Sequence, residues 1–590
     1  MSIDIETYRL KAQEAIEYVF VKEYHNSLGI PMPIVKMLLP DDANYSTGQY
    51  YITIDKTWQI HLNFGKLPIS YHEFQNEVKV LTRHEIEHYM CCPFDVITHF
   101  RMLKRIRDVY YKHFSHLGIN IKYACGAISN QAADIIVDTK NYYRHSKETL
   151  KSEIDWIKIG ANISACPRHC KLMFLTKEAI WKEDLGINET DPEFLKIVHQ
   201  LADSFTKNGI EDKSSFLDKV EEYAEIFFKL YVEDQKNPQQ SGQQGSQQQS
   251  GQQGSQQQSG QQGPQQQSGQ QGSQQQSGQQ GSQQQSGQWG VGRPKDGDEH
   301  GNAFVFADPD KVKEAIEVLA EETSVEEFID LLAIAGIIGM SDKQKGVLWF
   351  NVQSANIIPI VEFSNTGNKS SYTYPSVWRI GDPIEELDLM LTYMTSPRLI
   401  PGMTTKKWEY VSNDDNGTES KQMDLLLVVD TSGSMGSAMK ESANMHQAVL
   451  ASYGILSYFE STKSKVAFIG FSDKIDAYVD WSDKYDDVRE RLLTNGHGGT
   501  KFPISRIKST LDVRSRDLVT VLITDGDLGN INESVSYFRD YLNDDNKLYI
   551  FLLVGSKSLH SYEPLKNIGA KIYNANNANE FCDMVLTDME

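Results

Sequence analysis

Apolar residues recur at regular intervals along most of the chain, and the interval distinguishes helices from strands. Alternation of apolar and polar residues over 50–64 predicts a hairpin or two strands. Helical spacing, with apolar residues three and four positions apart, occurs at 80–90, 130–143 and 216–234. The first 234 residues are therefore predicted to mix helices and strands.

The end of the chain has a different pattern, in which short apolar stretches alternate with helical ones. The candidate strands are 424–430, 465–472, 518–525, 547–555 and 571–575. Apolar strands separated by helices are typical of a parallel sheet that helices cover on both faces, so 421–590 is predicted to form a doubly wound α/β domain. The preceding region, 294–420, is predicted to contain helices at 311–322 and 325–339 and strands within 348–363.

Between these regions lies a segment of repeated Gln, Ser and Gly residues, 235–293, built on the unit SGQQGSQQQ. Such a segment has too few apolar side chains to compensate the entropy lost on ordering, which favours a disordered, flexible linker. Self-association through Gln is the alternative, although Gly and Ser interrupt every Gln run. The chain is thus predicted to be a multidomain α+β and α/β protein with four parts: 1–234, 235–293, 294–420 and 421–590.

Composition narrows the range of partners and compartments. The net charge is −22, from 80 acidic and 58 basic residues. This excess of acid argues against nucleic acid and anionic membranes as partners, because both require a basic surface. The longest apolar run, 331–340, is too short to span a bilayer, and the first residues resemble no signal peptide. We therefore expect a cytoplasmic protein.

The sequence HEIEH at 84–88 is the strongest local motif of the first region. On a helix, His84 and His88 share one face, so both imidazoles can bind one zinc ion. Glu85 is offset around the helix, where its carboxylate can take a proton from a metal-bound water. This pattern predicts a catalytic zinc site with Glu85 as the general base.

A catalytic zinc needs a third protein ligand, and a later helix offers one. Asn130, Asp134 and Asp138 are four residues apart and therefore lie on one helical face. We predict that Asp134 binds the zinc, that Asp138 orients a ligand histidine through its free ring N–H, and that Asn130 supports this polar face.

A second candidate zinc site is much weaker. Cys166, His169 and Cys170 could form half of a structural zinc site, but no second cysteine pair lies at the usual spacing.

Oxygen-bearing side chains cluster after strands of the C-terminal domain. Asp430, Ser432 and Ser434 follow its first predicted strand, Thr500 lies on a Gly-rich loop, and Asp525 ends another strand. Ligands of doubly wound domains bind at the carboxyl ends of the strands, and hard oxygen ligands suit Mg²⁺. These five residues are predicted to form a magnesium site.

HEIEH followed by a helix with N-x-x-x-D-x-x-x-D resembles zincin-type metallopeptidases, in particular the metallopeptidase domains joined to von Willebrand factor A domains in bacteria and phages. The resemblance implies a zincin-like α+β fold and hydrolysis of a peptide or protein substrate. It also implies that a strand preceding the motif helix, here 57–64, holds an extended substrate. The chain departs from the common pattern at Asp134, where Glu is usual, and the shorter side chain requires closer helices.

The D-x-S-x-S motif, the loop threonine and the strand-end T-D-G resemble the metal-ion-dependent adhesion site of von Willebrand factor A domains at all five positions. In that family the metal accepts a carboxylate from a protein partner, which implies binding rather than catalysis. Proteins of this organisation occur beside MoxR-type AAA+ ATPases, so the resemblance suggests such a partner. The alternatives are a non-peptidase adaptor, similar to the chelatase subunits that work with AAA+ ATPases, and an inactive metal-binding scaffold.

Overall fold

The structure is a computed structural model, and it divides the chain into two compact units. The first unit comprises Met1–Ile316 with Ala333–Gly336, and the second comprises Glu317–Leu332 with Ile337–Glu590. The described residues are 5–236, 309–355, 372–377, 406–410 and 423–574, apart from gaps at 43–44, 46–49, 55–57, 65–69, 161–162, 338–339, 515–516, 527, 545 and 554–558. From residue 237 onward, the predicted linker lies outside the described residues.

Helices predominate in the N-terminal part of the chain. Its helices and strands are α1 (Ile5–Glu17), β1 (Ile34–Met37), β2 (Tyr50–Ile54), β3 (Gln59–Phe64), α2 (Tyr71–Met90), α3 (Val96–Val109), α4 (Ile121–Gly160), α5 (Arg168–Trp181), α6 (Pro192–Thr206) and α7 (Phe216–Lys236). The predicted helices at 80–90, 130–143 and 216–234 are confirmed as parts of α2, α4 and α7. The two strands predicted within 50–64 are confirmed as β2 and β3.

The N-terminal strands form a three-stranded sheet of order β1-β3-β2. The central strand β3 pairs in parallel with β1, from Gln59 opposite Ile34, and antiparallel with β2, from Phe64 opposite Tyr50. Both edges of β3 are used within the sheet, so β3 has no free edge for backbone pairing with a substrate, and the substrate-holding role expected for 57–64 stays a prediction. The sequence pattern missed β1, whose four residues are too few to establish a period.

One face of β3 packs against α2 and fixes the position of that helix. Ile60 and Leu62 are fully buried in one apolar cluster with Phe74, Val78 and Ile86 of α2. The helix begins at the N-cap Ser70, whose hydroxyl accepts a 3.4 Å hydrogen bond from the backbone N–H of Glu73. This Ser-x-x-Glu start and the apolar stripe together account for the position of α2 in the sequence.

Helices α2 and α4 are antiparallel neighbours, and this arrangement aligns their polar faces. His84 contacts Asp138, and His88, one turn later in α2, lies beside Asp134, one turn earlier in α4, so the two helices run in opposite directions. On a neighbouring face of α2, Glu87 contacts Lys140 and Arg144 of α4. Helix α4 is interrupted at His145 (φ −135°, ψ 50°), beyond these contacts.

The C-terminal part of the chain alternates strands and helices. Its elements are α8 (Pro309–Glu321), α9 (Val325–Ile334), α10 (Asp342–Ala355), β4 (Tyr372–Val377), β5 (Lys406–Tyr410), β6 (Asp424–Asp430), α11 (Asn444–Ser461), β7 (Val466–Phe471), β8 (Ile475–Ser482), α12 (Tyr485–Leu492), α13 (Ile504–Leu511), β9 (Leu518–Thr524), α14 (Val535–Asn543), β10 (Lys547–Leu552), α15 (Glu563–Lys566) and β11 (Lys571–Asn574).

All five strands predicted for the C-terminal domain are confirmed, as β6, β7, β9, β10 and β11. They are parallel neighbours in a six-stranded sheet of order β11-β10-β9-β6-β7-β8, whose edge strand β8 is antiparallel. β7, the next strand along the chain, pairs with one edge of β6, and the later strand β9 pairs with its other edge. A crevice at the carboxyl ends of β6 and β9 is where ligands bind in sheets of this kind.

Apolar side chains bury both faces of this sheet. Leu426 and Val428 of β6 pack in one cluster with Ile507 of α13 and Phe538 of α14. The alternate residue Leu427 points to the opposite face and is also fully buried. The sheet is therefore covered on both sides, as its continuous apolar strands predicted.

The strand prediction for 348–363 is wrong over 348–355, which belong to α10, and 356–363 lies outside the described residues. The rings of Trp349 and Phe350 are 5.3 and 5.2 Å from the ring of His446 on α11. The indole N–H of Trp349 donates to the carbonyl of Thr323. Aromatic residues such as these favour strands in isolation, but here their packing against α11 stabilises a helix and outweighs that preference.

None of the helices in the described ranges combines the length and hydropathy that a bilayer crossing demands.

Candidate metal centres

Three potential ligand atoms converge between α2 and α4. Nε2 of His88 lies 3.1 Å from Nε2 of His84 and 3.1 Å from Oδ1 of Asp134, and His84 Nε2 lies 3.5 Å from the same oxygen. Both imidazoles are almost completely buried. Ligand atoms bound about 2.1 Å from a tetrahedral zinc are about 3.4 Å apart, so these three separations fit one ion.

The other ring nitrogens fix which atoms face the centre. Nδ1 of His84 donates to Oδ1 of Asp138 at 2.6 Å, and Nδ1 of His88 donates to the carbonyl of Cys92 at 2.9 Å. A carboxylate and a carbonyl only accept hydrogen bonds, so each neutral ring carries its proton on Nδ1. Both Nε2 atoms then present lone pairs to one another and to the carboxylate of Asp134.

The electrostatics of this group favour a cation. Asn130 donates to Oδ2 of Asp134 at 3.1 Å, which leaves Oδ1 directed at the imidazoles. Burial lowers the pKa of His88, but the hydrogen bond and charge of Asp134 outweigh it and raise that pKa to about 9. In the same way, burial raises the pKa of Asp134, whereas the two histidines bring it below its usual value. A proton therefore occupies the metal-free centre, and a metal ion would replace it.

The two glutamates of the HEIEH sequence have different surroundings. Glu87 has no exposed surface and is held by the hydroxyl of Tyr24 at 2.9 Å, by Lys140 at 2.9 Å and by Arg144 at 3.0 Å. Glu85 lies close enough to His88 for its charge to raise the pKa of that imidazole. Glu87 thus ties α2 to α4, and Glu85 is the carboxylate beside the candidate metal ligands.

Sequence reasoning missed a buried lysine behind the histidines. Lys177 of α5 donates to Oδ2 of Asp138 at 2.7 Å and to Glu153 at 2.8 Å. A single lysine on an amphipathic helix belongs to no motif, so nothing in the sequence points to it. The carbonyl of Cys92 was missed for a similar reason, because backbone acceptors leave no trace in a sequence.

The structure does not support the second zinc site, which the sequence suggested for Cys166, His169 and Cys170. Nδ1 of His169 instead contacts Oδ2 of Asp234 at 2.8 Å. Within the described ranges, His84, His88 and Asp134 form the one group of three residues whose ligand atoms could hold a metal ion.

Four of the five predicted residues of the C-terminal site are linked by hydrogen bonds at the ends of β6 and β9. Oδ1 of Asp430 accepts from the backbone N–H of Ser432 at 2.8 Å, and the hydroxyls of Ser432 and Ser434 are 3.1 Å apart. Ser434 in turn donates to Oδ1 of Asp525 at 3.0 Å. Four oxygen-bearing side chains thus form one continuous group, and oxygen is the donor type that Mg²⁺ prefers.

The loop of Thr500 lies alongside this group. The backbone N–H of Gly433, between the two serines, donates to the carbonyl of Gly498 at 3.3 Å. Gly498 has a φ of 110°, which glycine tolerates far better than other residues. The half-buried Thr500 follows two residues later, on the loop that this contact holds in place.

Two residues that hold the aspartates were not predicted. The hydroxyl of Thr524 donates to Oδ2 of Asp430 at 2.6 Å, and Asn444 of α11 donates to Oδ2 of Asp525 at 3.1 Å. Burial raises the pKa of Asp430, and the negative charge of Asp525 raises it further. A cation between the carboxylates would relieve this repulsion. The T-D-G sequence could have indicated Thr524, whereas Asn444 is recognisable only from the fold.

Comparison with known proteins adds little to this description. No protein-family model matches the chain, and no curated protein sequence matches it. Among solved structures, the crystal structure of the conserved hypothetical protein BatB from Bacteroides thetaiotaomicron aligns with 28% of this chain and 97% of that chain, at 12% sequence identity and a TM-score of 0.24. A similarity at this level supports no statement about function.

Proposed function

We propose that the chain joins a zincin-like zinc metallopeptidase domain, within 1–234, to a von Willebrand factor A domain, 421–590, that docks a protein partner through Mg²⁺. The proposal assigns zinc to His84, His88 and Asp134. It assigns Mg²⁺ to the oxygen-bearing side chains Asp430, Ser432, Ser434, Thr500 and Asp525.

The convergence of three acceptors carries the peptidase proposal. Once the proton of the metal-free centre has left, Nε2 of His84, Nε2 of His88 and Oδ1 of Asp134 lie 3.1–3.5 Å apart with lone pairs facing one another. Burying such a group is costly unless a cation joins it. Two nitrogen ligands and one oxygen ligand suit zinc and leave the fourth tetrahedral position open, as catalytic zinc sites do.

Each neighbouring residue has a role in this proposal. A zinc ion held by His84, His88 and Asp134 would lower the pKa of a bound water to about 7 and would polarise a carbonyl group. Glu85 takes the proton of the attacking water and passes it to the amine that leaves, as a general acid–base group does. Asp138 and the Cys92 carbonyl keep the imidazoles in the tautomer that exposes Nε2, while Asn130 holds the other oxygen of Asp134.

The C-terminal site supports docking rather than catalysis. Its side chains are carboxylates and hydroxyls at the edge of a sheet, and Ser434 is exposed to solvent, so a partner carboxylate can complete the ligand set. A MoxR-type AAA+ ATPase is the partner we propose, on the resemblance of the motif. Docking would raise the local concentration of a substrate near the peptidase domain.

Proteolysis tests the first half of this proposal. Purified chain is incubated with a library of quenched fluorescent peptides, with and without 1,10-phenanthroline, and zinc is then restored. We expect hydrolysis that the chelator stops and zinc restores. Bound zinc without hydrolysis of any peptide would favour the non-peptidase adaptor, which needs no general base at Glu85.

Binding of a purified MoxR-type ATPase tests the second half. We expect capture in Mg²⁺ that EDTA abolishes and that Asp430→Ala weakens without changing zinc content. Equal capture by the wild type and the variant would contradict the docking role of this site.

A further inference from the structure

A buried positive charge lies directly behind the candidate zinc ligands. The side chain of Lys177 is 2% exposed, and its ammonium bridges Oδ2 of Asp138 at 2.7 Å and Oε1 of Glu153 at 2.8 Å. The other oxygen of Asp138 accepts the Nδ1 proton of His84 at 2.6 Å. A continuous row therefore runs from α5 through α4 to the metal-facing imidazole of α2.

We propose that Lys177 is a positioning residue that fixes the proton of His84 on Nδ1 and so keeps Nε2 available for the metal. The inference rests on the proposed zinc site. An ammonium group only donates hydrogen bonds, so the oxygen of Asp138 that faces it must accept. The carboxylate is thereby held in one rotamer, with its second oxygen directed at His84.

The charges of the row explain why a lysine suits this position. Asp138 and Glu153 are both largely shielded from solvent, with side chains 10% and 15% exposed. Without a cation between them the two carboxylates would repel, and this repulsion would favour rotation of Asp138 away from Glu153 or uptake of a proton by one of the two, either of which would disturb the contact with His84. Lys177 removes the repulsion and leaves Asp138 in contact with the imidazole.

The same helix offers a matched control. Lys171 of α5 is also buried, at 8% exposure, and pairs with one carboxylate, Glu189, at 2.9 Å. No contact described for Lys171 or Glu189 reaches His84 or His88. Lys171→Met therefore removes a comparable buried ion pair from α5 without disturbing the row behind His84.

Binding of Co²⁺ to the full chain measures the effect. Tetrahedral Co²⁺ absorbs strongly in the visible range, and excess Mg²⁺ keeps the C-terminal site from contributing. We expect Lys177→Met to weaken binding about 10–100-fold, as loss of groups that support metal ligands does. Lys177→Arg keeps a charged donor and should stay close to wild type, as should Lys171→Met.

Substitution of Asp138 gives a sharper test. The amide introduced by Asp138→Asn has one acceptor oxygen, to which the ammonium group of Lys177 donates. Its NH2 group then faces Nδ1 of His84 and drives the ring proton to Nε2, where it blocks the metal. We therefore expect Asp138→Asn to weaken Co²⁺ binding. Adding Lys177→Met to this variant should raise the Co²⁺ affinity again by about tenfold, because the amide oxygen can then turn back to His84. The double variant removes one buried positive charge and one buried negative charge together, so it is expected to fold.

The outcomes separate this inference from the proposed function. If Lys177→Met binds Co²⁺ as tightly as Lys171→Met does, or if the double variant binds no better than Asp138→Asn, the role of Lys177 is refuted. Wild-type chain that binds no tetrahedral Co²⁺ would refute both the role of Lys177 and the zinc site. Binding with the expected order of affinities but without peptide hydrolysis would refute the peptidase function alone.

Discussion

The hydroxyl of Thr524 donates a 2.6 Å hydrogen bond to Oδ2 of Asp430 and so joins the ends of β9 and β6. The other oxygen of Asp430 accepts from the backbone N–H of Ser432. Asp430 itself has no exposed surface. The orientation of this carboxylate is therefore set by the sheet without any cation, and Thr524 would support Asp430 in the proposed role of a metal ligand.

We expect Thr524→Val to weaken Mg²⁺ binding about tenfold or more, because the valine preserves shape and removes the donor that orients Asp430. Calorimetric titration with Mg²⁺ measures the change. Thr520→Val is the control: Thr520 is on the same strand and equally buried, but its hydroxyl lies 2.9 Å from that of Tyr541. Equal Mg²⁺ affinity in the two variants would contradict the role of Thr524.

Glycine at 496 should be required for the loop that carries Thr500. A Cβ on Gly496 would lie 2.5 Å from the carbonyl of Thr431 and even closer to the carboxylate of Asp476. Gly496→Ala must therefore displace the loop, at a cost of about 1–3 kcal/mol in unfolding free energy. We expect a marked loss of Mg²⁺ affinity, measured by the same titration.

Gly499→Ala is the matched control for this loop. A Cβ on Gly499 meets no atom within 4 Å, so the substitution adds a methyl group in open space. This variant should bind Mg²⁺ as the wild type does. A similar loss in both variants would mean that the loop responds to any added side chain rather than to the contact at Gly496.

The two glutamates of the motif should respond differently to the same substitution. Glu85→Gln should retain zinc and normal stability but lose peptide hydrolysis, because the base is removed and its shape is kept. Glu87→Gln should destabilise the chain by about 1–3 kcal/mol, because Lys140 and Arg144 lose a buried carboxylate, while Lys140 keeps its contact with Glu211 at 3.1 Å. Thermal unfolding and zinc content distinguish the two results. Hydrolysis by Glu85→Gln at the wild-type rate would exclude it as the base.

Acid should weaken the contact between α5 and α7. Burial raises the pKa of Asp234, but hydrogen bonds from His169 and Arg168 outweigh it and hold that pKa below its usual value. A carboxylate with a lowered pKa stabilises the fold above its unfolded pKa of about 4 and loses this contribution as the pH falls. Asp234→Asn should cost about 1–3 kcal/mol near neutral pH, and the difference from wild type should shrink below about pH 4.

Urea unfolding at several pH values measures this effect, and a neighbouring carboxylate provides the control. Glu233 also pairs with Arg168, at 2.9 Å, but its side chain is 56% exposed. Exposed ion pairs contribute little, so Glu233→Gln should leave stability nearly unchanged. A constant difference between Asp234→Asn and wild type across the pH range would contradict the linkage.

Much of the candidate zinc centre could be predicted because its residues obey one simple period. His84 and His88 share a helical face, and so do Asp134 and Asp138, so four-residue spacing placed each pair correctly. The sequence could not indicate Lys177, because its contact with Asp138 depends on how α5 packs against α4. Contacts between elements far apart in sequence leave no local pattern.

The parallel strands of the C-terminal sheet were also predictable, since each is a continuous apolar run. β8 escaped prediction because it is a half-exposed edge strand without clear alternation. Helix α10 was mistaken for a strand because Trp349, Phe350 and Val352 favour extended structure in isolation. The position of its aromatic residues is explained by their packing against α11, which the sequence alone does not show.

Metal analysis of the purified chain tests the central claim most directly. We predict about one zinc per wild-type chain, bound by His84, His88 and Asp134, and its loss in the double variant His84→Ala, His88→Ala. Wild-type chain that neither carries nor takes up zinc, or a double variant that binds zinc as tightly as wild type, would contradict the account.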